Sequence, residues 1–179
     1  MTYEMLFAGF GGQGVLLAGQ LMTYAGMIAG KQISWMPAYG PEMRGGTASC
    51  SVIVSDKSIG SPVVTKPNVL VAFNKPSLER FIGDVKPQGI VIVNSSLCDE
   101  PVNRQDVQVF SVPLNDIAAD MGNARALNMV ALGAVVEATK AVPLAAVEQA
   151  FVKRFGNKPG VVEANMEAVH AGIDCVGKQ

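Results

Sequence analysis

A glycine-rich turn at residues 9–14 offers the first chemistry in this sequence. Three of its glycines follow the G-x-G-x-x-G spacing, between an apolar run that predicts a strand and a stretch that predicts a helix. Glycines in such a turn let a phosphate approach the backbone, and the N–H groups at the start of the helix attract its negative charge. The turn predicts a binding site for an anionic ligand or for a negative group of a partner. The candidate residues are Gly9, Gly11, Gly12, Gln13 and Gly14.

A conventional NAD site has a second requirement, which this sequence does not meet. Such a site places Asp or Glu about 20 residues after the turn, where it binds the ribose hydroxyl. Residues 30–36 contain no acid, and Lys31 stands where an NADP site would normally offer an arginine. The pattern therefore favours a phosphate or backbone anchor over a nicotinamide dehydrogenase.

A second turn-rich stretch, residues 37–46, carries the charged candidates. Two prolines and three glycines predict a loop rather than a helix or a central strand. An arginine in this loop can grip a phosphate or carboxylate with two hydrogen bonds, and neighbouring glycines leave their N–H groups accessible. Alternatively, Glu42 and Arg44 pair with each other or with a partner subunit, and the sequence leaves both interpretations open. The candidates here are Glu42, Arg44, Gly45 and Gly46.

Composition excludes some functions and favours an interface. Among 179 residues, 14 Lys and Arg against 15 Asp and Glu give a net charge of −1, and aromatic residues make up 6%. Neither a basic surface nor a base-stacking surface is therefore expected, so we predict no nucleic-acid partner. Only 16% of the residues are charged, which is low for a single domain. We expect apolar surface that a partner subunit covers.

Membrane, metal and catalytic functions also find little support. Residues 15–29 are interrupted by too many polar residues to span a membrane. The first apolar run is preceded by Glu4 and by no basic region, so we predict that it is not a signal peptide. The three cysteines lie too far apart to hold a zinc ion or an iron–sulfur cluster, and we predict buried thiols in a reducing cytoplasm. His170 has no acid, Cys or Ser motif beside it. We therefore assign no catalytic residue and no metal ligand.

The order of predicted elements indicates the fold class. Continuous apolar runs at residues 68–73 and 89–93 predict strands that are covered on both faces, as in a parallel sheet. We predict one α/β domain over residues 1–179, a layered sandwich with a mostly parallel or mixed, Rossmann-like sheet and helices on both faces. The predicted strands are 5–8, 32–36, 47–54, 68–73, 89–93 and 107–112, and the predicted helices are 15–29, 77–82, 115–119, 123–139, 144–155 and 161–176.

Two further expectations concern how these elements meet. The turn at 9–14, Asn74 and residues 94–96 all follow strand ends, so we expect them to share the carboxyl edge of the sheet. The helix at 123–139 is apolar most of the way round, which predicts cover on both sides. Within it, Gly133 would allow another helix to approach closely, and Asn128 would satisfy a buried polar group or a partner backbone.

Five motifs together resemble the gamma subunit of 2-oxoacid:ferredoxin oxidoreductases, of the pyruvate/ketoisovalerate oxidoreductase gamma family, over nearly the whole chain. They are GFGGQGV at 9–15, YGPEMRGGT at 39–47, IGSP at 59–62, VLVAFN at 69–74 and NMVALGA at 128–134. The resemblance implies a multi-subunit oxidoreductase that decarboxylates a 2-oxoacid, transfers the acyl group to coenzyme A and reduces ferredoxin.

The resemblance also implies a division of labour. Thiamine diphosphate, Mg²⁺ and the iron–sulfur clusters would lie in alpha, beta and ferredoxin-like delta subunits of a cytoplasmic complex. This chain would bind no cofactor tightly and be inactive alone. It would pack beside the active site, where the two candidate loops help to hold coenzyme A.

Two alternatives to this function stay open at the level of sequence. One is a free-standing Rossmann-like protein that binds a nucleotide or a flavin at the glycine turn. The other is a purely architectural subunit that touches no ligand. The acyl substrate is also open, although the wording of residues 39–47 looks most like gamma chains specific for 2-oxoglutarate or for 2-oxoacids in general.

Overall fold

The computed structural model describes residues 1–39 and 46–179. These residues form a six-stranded sheet in the order β2-β3-β1-β4-β5-β6. The strands are β1 Thr2–Phe10, β2 Gln32–Tyr39, β3 Thr47–Ser55, β4 Val69–Ala72, β5 Ile90–Asn94 and β6 Gln108–Val112. The helices are α1 Val15–Ile28, α2 Lys75–Phe81, α3 Leu114–Asp120, α4 Leu127–Thr139, α5 Leu144–Phe155 and α6 Val161–Gly177, with 3₁₀ turns at Ile82–Asp84 and Ala124–Ala126.

The sheet is mixed, and its parallel part is the part that carries continuous apolar runs. Strands β1, β4, β5 and β6 are parallel neighbours, whereas β3 runs antiparallel to both β1 and β2. All four residues of β4 are buried, as expected for a strand that is covered on both faces. The predicted α/β layered fold is therefore confirmed.

At the two edges of the sheet, tertiary contacts decide the structure more than the local sequence does. The prediction of a loop from Pro37 onward is wrong for residues 37–39, because β2 continues to Tyr39 with Pro37 opposite Cys50. An edge strand tolerates proline, since one side of it needs no ladder donors. At the other edge, the side-chain amide of Gln179 hydrogen-bonds the N–H and carbonyl of Ser111 in β6, which partly blocks that edge.

Two apolar clusters cover the two faces of the sheet. The larger contains Met5 and Phe7 of β1 together with buried residues of α1, α3, α4, α5 and α6. The smaller contains Leu6 of β1, Leu70 of β4 and Leu78 of α2. Helices thus lie on both faces, as predicted. Among the described residues, no helix is both long enough and apolar enough to span a membrane.

Helix α4 lies between the sheet and α6, and two glycines allow the close crossing. A Cβ atom on Gly133 would lie 2.0 Å from the carbonyl oxygen of Val169 on α6. Reciprocally, a Cβ atom on Gly172 would lie 2.0 Å from the carbonyl oxygen of Val130 on α4. The expectation that α4 is covered on both sides, with Gly133 at a helix contact, is confirmed.

Candidate functional site

The glycine turn connects β1 to α1 at the carboxyl edge of the sheet. Gly12 and Gly14 have φ angles of 94° and 74°, in the left-handed region that favours glycine. Gly9 needs glycine for space, because a Cβ atom there would lie 2.7 Å from the Cβ of Phe73. Gly12 is different, since no atom of the described residues lies within 4 Å of its Cβ position. The turn therefore packs tightly at its first glycine and opens to the outside at Gly12.

The start of α1 supplies hydrogen-bond donors in this turn. Gly14 is the N-cap of α1, which has no side-chain cap in the described structure and no acid in its first turn. The first N–H groups of a helix have no partner within the helix, and the helix dipole adds partial positive charge there. An open cleft of about 330 Å³ lies at this helix start, lined by Phe10, Gly11, Gly12, Gly14, Val15, Leu16, Leu17 and Ala48.

The two candidate loops meet at this cleft. The N–H of Gly11 donates to the carbonyl oxygen of Gly46 at 3.1 Å. Both ends of the second loop lie at the carboxyl edge, because Tyr39 pairs with Ala48 and Phe10 pairs with Thr47. The other three candidates of that loop lie outside the described residues: they are Glu42, Arg44 and Gly45.

Gln13 turns inward, so its side chain interacts with the protein. Its Oε1 accepts from the N–H of Phe10 at 2.7 Å and from Nδ2 of Asn74 at 3.0 Å. Its Nε2 donates to the carbonyl oxygen of Phe73 at 3.3 Å. These contacts favour a role for Gln13 as a cap of the turn over a role as a direct hydrogen-bond donor to a ligand.

A row of side-chain amides, of which Asn74 and Asn94 are buried, extends from Gln13 along the ends of the parallel strands. Asn94 is fully buried, and its Nδ2 donates to the carbonyl oxygen of Phe73 and to Oδ1 of Asn115, both at 2.8 Å. Its Oδ1 accepts from the N–H of Leu114 at 3.1 Å. The expected common edge of the turn, Asn74 and residues 94–96 is thus confirmed. We call Gln13, Asn74, Asn94 and Asn115 the amide network.

Sequence reasoning missed two parts of this arrangement. It did not single out Asn115, although an asparagine just after the end of β6 is a signal of the same kind as Asn74 after β4. It also did not pair Asn128 with the glycine turn. Asn128 is buried and donates from Nδ2 to the carbonyl oxygen of Gly14 at 3.3 Å, which confirms the expectation that it satisfies a buried polar group.

Among the residues that the structure describes, the titratable group beside the start of α1 is a buried thiol. The buried thiol of Cys50 donates to the carbonyl oxygen of Val15 at 3.8 Å. Burial raises the pKa of Cys50 to about 12, so the thiol stays neutral. His170 is exposed on α6. The described part of the chain contains no cluster of three His, Cys, Asp or Glu side chains able to hold a metal ion.

The cleft can therefore bind a ligand, whereas its described lining residues contribute little to bond-making chemistry. The lining residues that the structure describes offer backbone N–H groups and apolar surface, and none of them carries a nucleophile, an acid or a base. The motif at 59–62 belongs elsewhere, because it lies between β3 and β4 at the amino edge of the sheet. The carboxyl edge is thus the candidate site, and an anion is the ligand that its donors fit.

Comparison with known proteins extends these observations. Residues 4–175 match the family described as POR, Pyruvate ferredoxin/flavodoxin oxidoreductase. The chain is 40% identical over 172 residues to "Ketoisovalerate oxidoreductase subunit VorA" of Methanothermobacter marburgensis. That match covers 96% of this chain and 36% of VorA, so the chain spans about a third of the length of this relative.

Two solved structures share the fold. The gamma subunit of a keto/oxoacid ferredoxin oxidoreductase from Geobacter sulfurreducens PCA has a TM-score of 0.85 and 32% identity, with 99% of both chains covered. The 2-oxoglutarate:ferredoxin oxidoreductase from Magnetococcus marinus, with 2-oxoglutarate, coenzyme A and succinyl-CoA bound, has a TM-score of 0.92 and 25% identity. That likeness covers 99% of this chain and 31% of the Magnetococcus chain.

Proposed function

This chain belongs to the pyruvate ferredoxin/flavodoxin oxidoreductase family, and we propose that it is the gamma subunit of a thiamine diphosphate-dependent 2-oxoacid:ferredoxin oxidoreductase. The complex would oxidatively decarboxylate a 2-oxoacid, form the acyl-CoA and pass the electrons to ferredoxin. Residues 1–179 act as one gamma-type domain that packs beside the active site of a cytoplasmic complex. Its own part is to help hold coenzyme A, and it is inactive alone.

The observation that carries this proposal is the meeting of the two loops at the cleft. Coenzyme A carries a diphosphate and a ribose phosphate, so its site needs N–H donors and cations. The turn and the start of α1 provide donors beside the bond between Gly11 and Gly46. The Magnetococcus enzyme, whose likeness extends over 99% of this chain, binds coenzyme A. The proposal assigns the same ligand to this cleft.

Backbone donors alone do not account for a tight diphosphate site. A charge at a helix N-terminus is typically stabilised by about 0.3–1 kcal/mol, which is small beside the cost of desolvating a phosphate. Arg44 stands two positions before Gly46 in the sequence. We assign to its guanidinium the two charge-assisted hydrogen bonds that a phosphate oxygen pair accepts.

Thiamine diphosphate, Mg²⁺ and the iron–sulfur clusters belong to the alpha, beta and delta subunits in this proposal. A [4Fe–4S] cluster needs four thiolates, whereas this chain has three cysteines at positions 50, 98 and 175. When bound in the partners, thiamine diphosphate supplies the carbanion chemistry of decarboxylation. The residues of this chain bind and orient the acyl acceptor.

The acyl substrate is proposed to be 2-oxoglutarate or a related 2-oxoacid. The relatives named above act on ketoisovalerate in one case and 2-oxoglutarate in another. A panel of pyruvate, 2-oxoglutarate, branched-chain oxoacids and arylpyruvates, assayed with the native complex and ferredoxin, identifies the substrate through the highest kcat/KM.

The decisive experiment uses the complex purified from its native host. Mass spectrometry should identify copurifying subunits with thiamine-binding and cluster-binding sequences. In the assembled enzyme, Arg44→Ala should raise the KM for coenzyme A and leave the KM for the oxoacid unchanged. Arg154→Ala, on the exposed face of α5, is the matched control and should change neither constant.

Two other outcomes would overturn this function. A chain that purifies alone with a bound flavin, or with saturable nucleotide binding, would be the free-standing Rossmann-like protein. If neither Arg44→Ala nor substitutions in the glycine turn change the KM of the complex for coenzyme A, this chain is an architectural subunit that touches no ligand.

A further inference from the structure

We propose that Gln13 is a positioning residue of the coenzyme A site, and that Asn74 holds it in place. Gln13 touches no ligand in this proposal. Instead, it fixes the glycine turn in the conformation that places Gly12, Gly14 and the start of α1 at the cleft. This inference rests on the proposed function, because the effect of positioning is measured through coenzyme A.

The contacts of Gln13 form a closed clamp around the turn. Its backbone N–H donates to the carbonyl oxygen of Phe10 at 3.2 Å, and its Oε1 accepts from the N–H of Phe10 at 2.7 Å. Nε2 reaches across to the carbonyl oxygen of Phe73, the residue that follows β4. The side chain therefore ties the two ends of the turn to each other and to the neighbouring strand.

A clamp matters here because the turn is rich in glycine. Four of its six residues are glycines, which lose more backbone freedom on ordering than other residues do. If the turn were ordered only when the ligand binds, this loss would weaken binding. The hydrogen bonds of Gln13 offset this loss of backbone entropy when the protein folds. The donors of the turn are therefore already in place when the anion binds.

Asn74 connects the clamp to the rest of the sheet edge. It is 2% exposed, and its Oδ1 accepts from the N–H of Ser77 at 2.9 Å as the N-cap of α2. Its Nδ2 donates to Oε1 of Gln13 at 3.0 Å. The carbonyl oxygen of Phe73 accepts from both Gln13 and Asn94, so the amide network joins the clamp to β5.

These two roles of Asn74 can be separated by substitution. Asn74→Ser keeps a side-chain oxygen that can cap α2, because serine is as good an N-cap as asparagine. The shorter hydroxyl loses the hydrogen bond to Gln13 and introduces no charge near the anion. Gln13→Met removes the polar atoms of the clamp at nearly constant length and volume.

A matched control exists at the opposite edge of the sheet. The side chain of Asn68 also bridges β1 and β4, accepting from the N–H of Glu4 at 2.8 Å and donating to the carbonyl oxygen of Thr2 at 3.0 Å. Asn68→Ser therefore loosens the same two strands away from the glycine turn. This variant therefore shows how much general destabilisation alone changes the KM for coenzyme A.

The test measures steady-state kinetics of the assembled complex with coenzyme A and its oxoacid. Asn74→Ser should raise the KM for coenzyme A about fivefold, the size that one lost neutral hydrogen bond gives. Gln13→Met loses three side-chain hydrogen bonds and should raise it further. Both should leave kcat and the KM for the oxoacid unchanged. Asn68→Ser should leave all three constants unchanged while lowering the melting temperature of the purified chain.

Two results would overturn the positioning role. One is an unchanged KM for coenzyme A in Asn74→Ser and Gln13→Met. The other is an equal rise in Asn68→Ser, since the effect would then come from loose strands.

A second pair of variants separates this failure from failure of the proposed function. Gly12→Asp and Gly12→Ala share the strain of a φ angle of 94°, but only the first adds a charge that repels an anion. If Gly12→Asp raises the KM for coenzyme A more than Gly12→Ala does, coenzyme A binds at the turn. The clamp variants, Asn74→Ser and Gln13→Met, then decide whether Gln13 is a positioning residue. If the pair behaves alike and the clamp variants have no effect, both proposals are wrong.

Discussion

Asn128 occupies the space that a side chain on Gly14 would need. A Cβ atom at position 14 would lie 2.3 Å from Nδ2 of Asn128, the same atom that hydrogen-bonds the carbonyl oxygen of Gly14. One contact thus joins the first turn of α4 to the residue that begins α1. Position 14 requires glycine for two separate reasons, its left-handed backbone and the presence of Asn128.

The first prediction separates these two reasons. Gly14→Ala should lower the free energy of unfolding by about 3 kcal/mol, from backbone strain together with steric overlap. Gly122→Ala is the control, because Gly122 has nearly the same φ angle, 72°, with nothing within 4 Å of its Cβ position. Gly122→Ala should lower the free energy of unfolding by only about 1 kcal/mol. Urea unfolding of the purified chain measures both, and equal losses would show that Asn128 exerts no steric constraint.

The second prediction concerns the crossing of α4 and α6. Gly172→Ala places a methyl group 2.0 Å from the backbone carbonyl of Val130, so the two helices must separate. The free energy of unfolding should fall by about 3 kcal/mol, the upper range for overpacking. Gly177→Ala, on the same helix with nothing within 4 Å, should be neutral or slightly stabilising. A neutral Gly172→Ala in thermal unfolding would contradict the close crossing.

The third prediction is a dependence of stability on pH at Asp56. Hydrogen bonds from Lys31 and from the amino group of Met1 lower the pKa of Asp56 from 3.8 to about 2. A lowered pKa means that the ionised form stabilises the fold above about pH 4, and that this contribution is lost as the pH falls towards about 2. Asp56→Asn should therefore be less stable than the wild type at pH 6, and this difference should be much smaller near pH 2, where about half of Asp56 is protonated.

Urea unfolding of both proteins at these two pH values checks this prediction. Because Asp56 is a surface group, the difference at pH 6 should also shrink in 1 M salt. A difference that is undiminished at pH 2 would indicate that Asp56 acts through something other than its charge.

The fourth prediction concerns thiol reactivity. Cys50 and Cys98 are buried, and burial raises the pKa of both thiols, whereas Cys175 is partly exposed on α6. Because the thiolate is the reactive form, Ellman's reagent should modify one thiol of the folded chain quickly and the other two only on unfolding. Cys175→Ser should remove the fast phase. A fast phase that survives this substitution would place the accessible thiol elsewhere.

Much of the fold could be predicted because its signals are local. Apolar runs such as that of β4 and the glycine turn after β1 depend on residues that are close in sequence. The same holds for α5, whose predicted range, residues 144–155, is the observed one. By contrast, the continuation of β2 through Pro37 depends on its place at the sheet edge, which no local pattern encodes.

The candidate site divides in the same way. The spacing of the glycines determined where an anion could meet free N–H groups, because backbone conformation and steric access are set by the residue itself. Only the tertiary structure decided that Gln13 turns inward, since its partner Asn74 lies 61 residues away in the sequence. It also brought Gly46 to Gly11 and Asn128 to Gly14. Hydrogen-bond partners so far apart are chosen by the packing of the sheet and helices, so the sequence specified the groups and the fold specified their contacts.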